Sequence, residues 1–203
     1  SMLKLGRAQA AVMLAAVHRQ LPVTQYTPKE VKKAVVGTGS ADIPLGTVEQ
    51  IVEDSFAVWG DPETGAVTTY ASGLPASLIG IGGVMDIAFI GSTAYALVTL
   101  VGADVGGSDV VGIYRVDGPS SFTVIADVGT YAMNNPPPTT FFVPTGVQYA
   151  METYRGGLLV TDGHHNRVLH VRLDGQISDF MVVENTVPTG LAVSGSMVYM
   201  AEA

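Results

Sequence analysis

The heptapeptide "VPTGVQY" beginning at Val143 returns as "VPTGLAV" at Val187, 44 residues later. Each copy is followed by a polar turn and an apolar run that ends in an acid, "GLLVTD" with Asp162 and "MVYMAE" with Glu202. "IYRVDG" at Ile113 and "HVRLDG" at His170 form a second recurring pair, 57 residues apart, and each closes on an Asp-Gly turn. The longer spacing absorbs the loop "GTYAMNNPPPTTFF" that starts at Gly129. A repeat of ~40 to 50 residues made of short strands restricts a chain to radially or linearly repeated sheets.

The hydrophobic period supports that restriction. From about residue 43 apolar residues alternate, which is the two-residue period of a half-buried strand. "FAVWGDPETGAVTTYASG" predicts a hairpin turned by Pro62 and Gly65, and "DIAFIGSTAYALVTL" predicts a second about Gly91 and Ser92. "VGIYRVDG", "FTVIADVG", "GLLVTDG", "RVLHVRLDG" and "QISDFMVV" read as further strands. Residues 46–58 fit a helix or a strand equally well. The 24 glycines and 11 prolines suit the many tight turns this requires. The expected fold is mainly β: about three blades of a β-propeller, a half-propeller, behind an N-terminal α-helical segment. Residues 1–42 are the helical segment, and blades cover 43–83, 84–142, 143–186 and, incompletely, 187–203. Closure takes ~4 to 8 blades. Three would leave sheet edges open, so self-association, with a dimer favoured, is expected to complete the ring.

Charge divides the chain at the same place. Residues 1–42 sum to +4 and the remainder to −12, within a net charge of −8; so abrupt a change of sign marks a boundary. Leu3 to Gln20 predicts a helix that Pro22 stops. Thr27, Pro28 and Glu30 form the cap of a second helix. Its Lys29, Lys32 and Lys33 are candidate nucleic-acid contacts, although a solvated face is the plainer reading. The acidic balance counts against nucleic acid as a partner of the whole chain.

No membrane partner is expected, because the longest apolar helical run, "AQAAVMLAAV", falls well short of the ~20 residues a bilayer needs. Lys4 and Arg7 before that run imitate a secretory leader, but no small-x-small cleavage site follows it. Localisation therefore stays open. "GTGS" at Gly37 lacks the second half of a phosphate-loop fingerprint and follows a helix, so it is read as a turn.

The candidate chemistry is sparse. With no cysteine, thiolate metal sites are excluded. His164 and His165 sit in a turn, where solvated side chains are the ordinary expectation. Being adjacent, they are poorly placed to share one metal. Asp162 and Glu202 end equivalent strands and, with Asp86, are the candidate metal carboxylates; Asn134 and Asn135 could assist. Acids that cap local backbone are the competing reading. Phe141 and Phe142, carried by the Pro-rich loop, form with His164 and His165 a candidate ligand patch, or else plug the space between blades. No Ser-His-Asp signature is visible. No cofactor is called for; a divalent cation such as Ca²⁺ is the one candidate.

Two families resemble parts of this chain. From about Gly65 to Ala203, "GAVTTYASGLP", "MDIAFIGSTAYALV", "GIYRVDG", "VPTGVQY", "LLVTDGHHNRVLHVRLDGQIS" and "VPTGLAVSGSMVYMAEA" resemble the ScyD/ScyE-like propellers associated with scytonemin biosynthesis, which are similar to NHL-type propellers. That resemblance implies a six-bladed ring, usually exported, with no catalytic residues to carry over. Leu3 to Asp42, "LKLGRAQAAVMLAAV" and "LPVTQYTPKEVKKAVVGTGSAD", resembles the central part of a RuvC-type Holliday junction resolvase, a cytoplasmic family that cuts four-way DNA junctions with divalent metal. The resemblance implies that the family's metal carboxylates fall outside Leu3 to Asp42 and that the likeness fades after Asp42. A two-metal nuclease needs several converging carboxylates. The resulting expectation is a chimera with no catalytic function, not an enzyme, serving as a structural or binding module. A lactonase-like metal-dependent hydrolase and weak DNA binding are the alternatives.

Overall fold

The computed structural model describes residues 57–60, 67–138 and 140–202. Cα packing divides the chain into two units, residues 1–48 with 59–68, and residues 49–58 with 69–203. The expected N-terminal helices, Lys29, Lys32, Lys33 and most of the ambiguous 46–58 stretch lie outside the described residues.

The described part is mainly β. Strand β1 (Ala57–Gly60) pairs with β2 (Val67–Ala71), the first predicted hairpin. Next comes a four-stranded antiparallel sheet in sequential order: β3 (Gly83–Ile90), β4 (Thr93–Thr99), β5 (Gly112–Gly118) and β6 (Ser121–Asp127). A second such sheet follows: β7 (Gln148–Tyr154), β8 (Gly157–Asp162), β9 (Arg167–Val171) and β10 (Ile177–Val182). Finally β11 (Pro188–Ser194) and β12 (Met197–Glu202) form an antiparallel pair. Two-residue turns join β3 to β4, β5 to β6, β7 to β8 and β11 to β12, whereas longer segments join β4 to β5, β8 to β9 and β9 to β10. Ile90 faces Thr93 across Gly91 and Ser92, and Gly91 at φ 61° takes the left-handed conformation such a turn demands.

Burial falls from the inner strands outward. In β4 every residue after Thr93 is buried, and in β8 all six are. Both strands are covered on two faces, which is why "TAYALVT" and "GLLVTD" read as nearly unbroken apolar runs. The outer strands β6 and β10 are mostly exposed. One core lies between the two large sheets: Tyr95, Leu97, Ile113 and Val128 meet Met151, Leu158, Val160, Leu169 and Val171. Each fully buried Leu or Ile there contributes about 1.5–3 kcal/mol. A second cluster, around Leu74, Ala96, Val98, Val101 and Tyr114, backs the opposite face of the first sheet. Strand β7 packs on β3 and β4, and β11 packs on β7 and β8, so the leading strands follow one another through the structure.

These leading strands are irregular, and polar side chains make good the irregularity. The β7–β8 register shifts between Gln148 and Met151. The Thr161 hydroxyl there accepts from the backbone N–H groups of Tyr149 (3.1 Å) and Ala150 (2.9 Å). In β3 a shift lies between Val84 and Asp86. The Asp86 carboxylate accepts from its neighbour Ile87 N–H and, across to β7, from Met151 N–H at 2.7 Å. Asp86 thus ties one sheet to the next.

Two sequence expectations need correcting. The 129–142 stretch is not all loop, since α1 (Val128–Asn134) occupies its start. Asp127 caps this helix, accepting from Thr130 N–H and Thr130 Oγ1, both at 2.8 Å. The "VPTG" repeat also does not repeat in conformation. Gly146 turns the chain into β7 with φ 75°, whereas Gly190 lies inside β11 and has no positive φ. Among the described residues no helix is long and apolar enough to cross a membrane.

Candidate functional site

Where β8 ends at Asp162, the chain makes a four-residue turn, "GHHN", and returns as β9 from Arg167. Asp162 and Arg167 face each other across the two strands, and both are buried. A 3-10 turn over Gly163–His165 connects them, closed by Asn166 in the left-handed conformation at φ 53°. Burial of a charge is costly unless it is paired and hydrogen-bonded, and here every oxygen is engaged. Asp162 Oδ2 accepts from Arg167 Nε at 2.9 Å and lies 3.1 Å from His165 Nδ1; Oδ1 accepts from Gln148 Nε2 at 3.2 Å.

The network continues to both sides. Arg167 Nη1 donates to the Asn135 carbonyl at 2.8 Å, and its guanidinium lies 5.4 Å from the Tyr131 ring centroid. Gln148 Oε1 accepts from Thr99 Oγ1 at 2.6 Å, while Nε2 also donates to the Thr145 carbonyl. Thr145 Oγ1 in turn donates to Asp104 Oδ2 at 2.6 Å. The cluster thereby joins the β4 end of one sheet to β7, β8 and β9 of the next.

His165 is fully buried and belongs to this network, which corrects the expectation of a solvated turn histidine. Its Nε2 lies 3.2 Å from the Val143 carbonyl, an atom that only accepts, so Nε2 donates. With Nε2 committed to backbone and Nδ1 enclosed between Asp162 Oδ2 at 3.1 Å and Arg167 Nη2 at 3.4 Å, His165 has no free atom for proton transfer to a substrate. The Asp162–His165 pair holds the turn.

His164 is different. It is half-buried, with Nε2 2.9 Å from Tyr149 Oη. Burial lowers the His164 pKa, assisted by the neighbouring His165 and opposed by Asp162; burial also raises that of Tyr149. Both shifts favour the neutral forms of the pair. The two loop phenylalanines stack edge-on against these rings, Phe141 on His165 and Phe142 on His164, each with centroids 4.8 Å apart. The four residues of the predicted ligand patch are thus brought together. Phe142 remains 78% exposed, so it is not a plug between sheets.

The candidate metal carboxylates are not gathered. Asp86 lies on β3, Asp162 on β8 and Glu202, exposed, on β12. Among the described residues no group of three or more His, Asp or Glu side chains is arranged to hold a metal. Asn135 contributes its carbonyl to Arg167 rather than to a cation. The sequence reading missed Arg167, Gln148 and Thr99; an arginine directly after "DGHHN" was the available signal for the first.

The described residues therefore define a mainly β protein of four-stranded antiparallel sheets with one short α-helix. No solved structure matches it. The likeness to known proteins lies at the N-terminal end: the family model for the crossover junction endodeoxyribonuclease RuvC matches residues 1–63. The protein of that name from Salinibacter ruber is 76% identical over 41 residues, which is 20% of this chain and 23% of that protein. The Teredinibacter turnerae protein is 57% identical over 42 residues, 21% and 24% of the two chains. A Vibrio cholerae protein is 41% identical over 66 residues, 32% and 37%. The chain spans about a quarter to two-fifths of the length of these relatives.

These matches correct the expectation of a chain without catalytic function that is not an enzyme. The matched region is similar to part of an endodeoxyribonuclease family, and the family match runs to residue 63, past the Asp42 where the likeness was expected to fade. The expectation had rested on which carboxylates the segment holds. That is a test of one metal site and not of kinship.

Proposed function

We propose that this chain acts on branched DNA in the manner of a crossover junction endodeoxyribonuclease, with residues 1–63 as the part responsible. The observation that carries this reading is the family match over those residues, with 76% identity to one relative across 41 of them. Electrostatics point to the same part of the chain. Residues 1–42 carry +4 and the remainder −12, so by net charge it is the N-terminal segment that suits a polyanionic DNA backbone. Lys29, Lys32 and Lys33 are the proposed backbone contacts.

The test is a labelled four-way junction incubated with the full chain, with and without Mg²⁺. Salt-sensitive binding that prefers the junction to linear duplex, with Mg²⁺-dependent nicking, is expected. Replacing the three lysines by glutamine should lower the slope of log K against log salt by about 2–3. Absence of both binding and nicking at low salt overturns the proposal.

We further propose that the sheets are consecutive propeller blades completed by a second copy of the chain. Two features support this. The leading strands β3, β7 and β11 pack in succession, and apolar side chains stay exposed toward either end of that succession, Leu78, Ile79, Ile81 and Phe89 before and on β3, Met197 on β12. Sedimentation equilibrium should return twice the 21.1 kDa chain mass; a monomer at micromolar concentration sinks this reading.

A further inference from the structure

On the side of the second sheet away from the Asp162 network, the β7–β8 turn and the segment after β9 enclose a cleft of about 420 Å³. Arg155, Gly156, Gly157, His170, Arg172 and Asp174 line it. Only four arginines lie beyond residue 42, in a stretch of net charge −12, and two of them line this one cleft. The other two are committed, Arg115 to Asp117 and Arg167 to Asp162.

Three observations converge on the cleft. First, Arg155 occupies the leading position of the two-residue turn at φ 47°, with Gly156 at 77°. Positive φ at both positions selects Asn or Gly, and a long cationic side chain is an unfavourable occupant. A backbone outlier of this kind points toward function. Second, Arg155 forms no ion pair among the described residues; its guanidinium stands 5.0 Å from the Tyr154 ring centroid, exposed to solvent. Arg172 pairs with Asp174 at 3.0 Å through Nη2, leaving other donors of its guanidinium fork free. Third, His170 Nε2 is buried without a hydrogen-bond partner, close enough to Gly157 that a Cβ there would lie 3.2 Å away.

We propose that this cleft binds an oxyanion of the phosphate type, inorganic phosphate or the phosphate of a small metabolite, through Arg155 and Arg172, with the His170 imidazole beneath. Two guanidinium forks suit a tetrahedral anion with several oxygens, since each can take two of them. The glycines at 156 and 157 leave the approach clear of side chains. The inference stands apart from the proposed DNA role, because it concerns a different stretch of the chain.

The test uses the full chain and inorganic phosphate at constant ionic strength, read by amide and imidazole NMR shifts. Saturable shifts at Gly156, Gly157 and His170 are expected, with affinity at least tenfold weaker in Arg155→Gly and in Arg172→Gln. Arg155→Gly is the decisive variant. Glycine accepts the left-handed turn without strain, so its melting temperature should hold or rise while binding is lost. Retained affinity in Arg155→Gly overturns the proposal. So do shifts reproduced by sodium chloride, or saturation by acetate and citrate with none by phosphate.

Discussion

Arg167 donates from Nε to Asp162 Oδ2 at 2.9 Å, directly across β8 and β9, and neither side chain is more than 4% exposed. A buried pair of this kind stabilises little relative to apolar residues of the same size, yet removing one partner strands a charge. Asp162→Ala should therefore lower unfolding free energy by about 3–5 kcal/mol. The double variant Asp162→Leu with Arg167→Met should recover much of that loss. Urea denaturation followed by circular dichroism measures both; an additive double variant would refute the pairing argument.

Gly146 is fixed by the same carboxylate. Its φ is 75°, and a Cβ there would collide with Asp162 Oδ1 and come within 2.6 Å of Gln148 Nε2. Gly146→Ala should cost at least ~2 kcal/mol, combining backbone strain with displacement of a buried network. Gly190→Ala, at the matching place in the sequence repeat, meets only Ala201 Cβ at 3.2 Å and should cost much less. Comparing the two midpoints in urea checks whether the repeated glycines do different jobs.

His164 sets a pH dependence. Burial lowers its pKa below the ordinary 6.5, so the unfolded chain binds the proton more readily than the folded one. Its stability contribution is complete above 6.5 and is lost as pH falls toward the folded value. Melting temperature should drop on going from pH 7.5 to pH 5. His164→Gln, which keeps a hydrogen-bonding group beside Tyr149 but does not titrate in this range, should flatten that part of the profile. An unchanged profile would remove His164 as the cause.

Asp127 ends β6 and caps α1 through two bonds to Thr130. Asp127→Ala should destabilise by about 1 kcal/mol, and Asp127→Asn by less, because its amide oxygen still accepts from Thr130 N–H. Hydrogen exchange over residues 128–134 should report the local loss. If those amides keep their protection, the cap has been misjudged.

The strands were legible because their signals are local. Two-residue periodicity, Gly91 and the Asp-Gly turns are properties of a few neighbouring residues, and β3, β4, β5, β8 and β9 fall where those signals place them. The helix α1 was not read, because Gly129 and Thr130 are poor helix formers and the stretch runs into three prolines. Its cap is the local signal that was overlooked. The four-residue patch of Phe141, Phe142, His164 and His165 was legible as a group, but the burial of His165 was not.

The sequence alone determined the order of the strands, the hairpin pairings and the sign reversal of charge near residue 42, all of which depend on neighbours along the chain. It also carried the nuclease likeness of residues 1–63, through identity and not geometry. Tertiary structure decided what the repeated motifs and turn residues do. Asp162 is a buried ion-pair partner and Glu202 an exposed strand end, although each closes an apolar run. Gly146 takes the left-handed conformation in a turn and Gly190 does not, although each sits in "VPTG". The difference lies in what packs around each residue, since burial decides whether a carboxylate must find an arginine and close approach decides whether a Cβ can be tolerated.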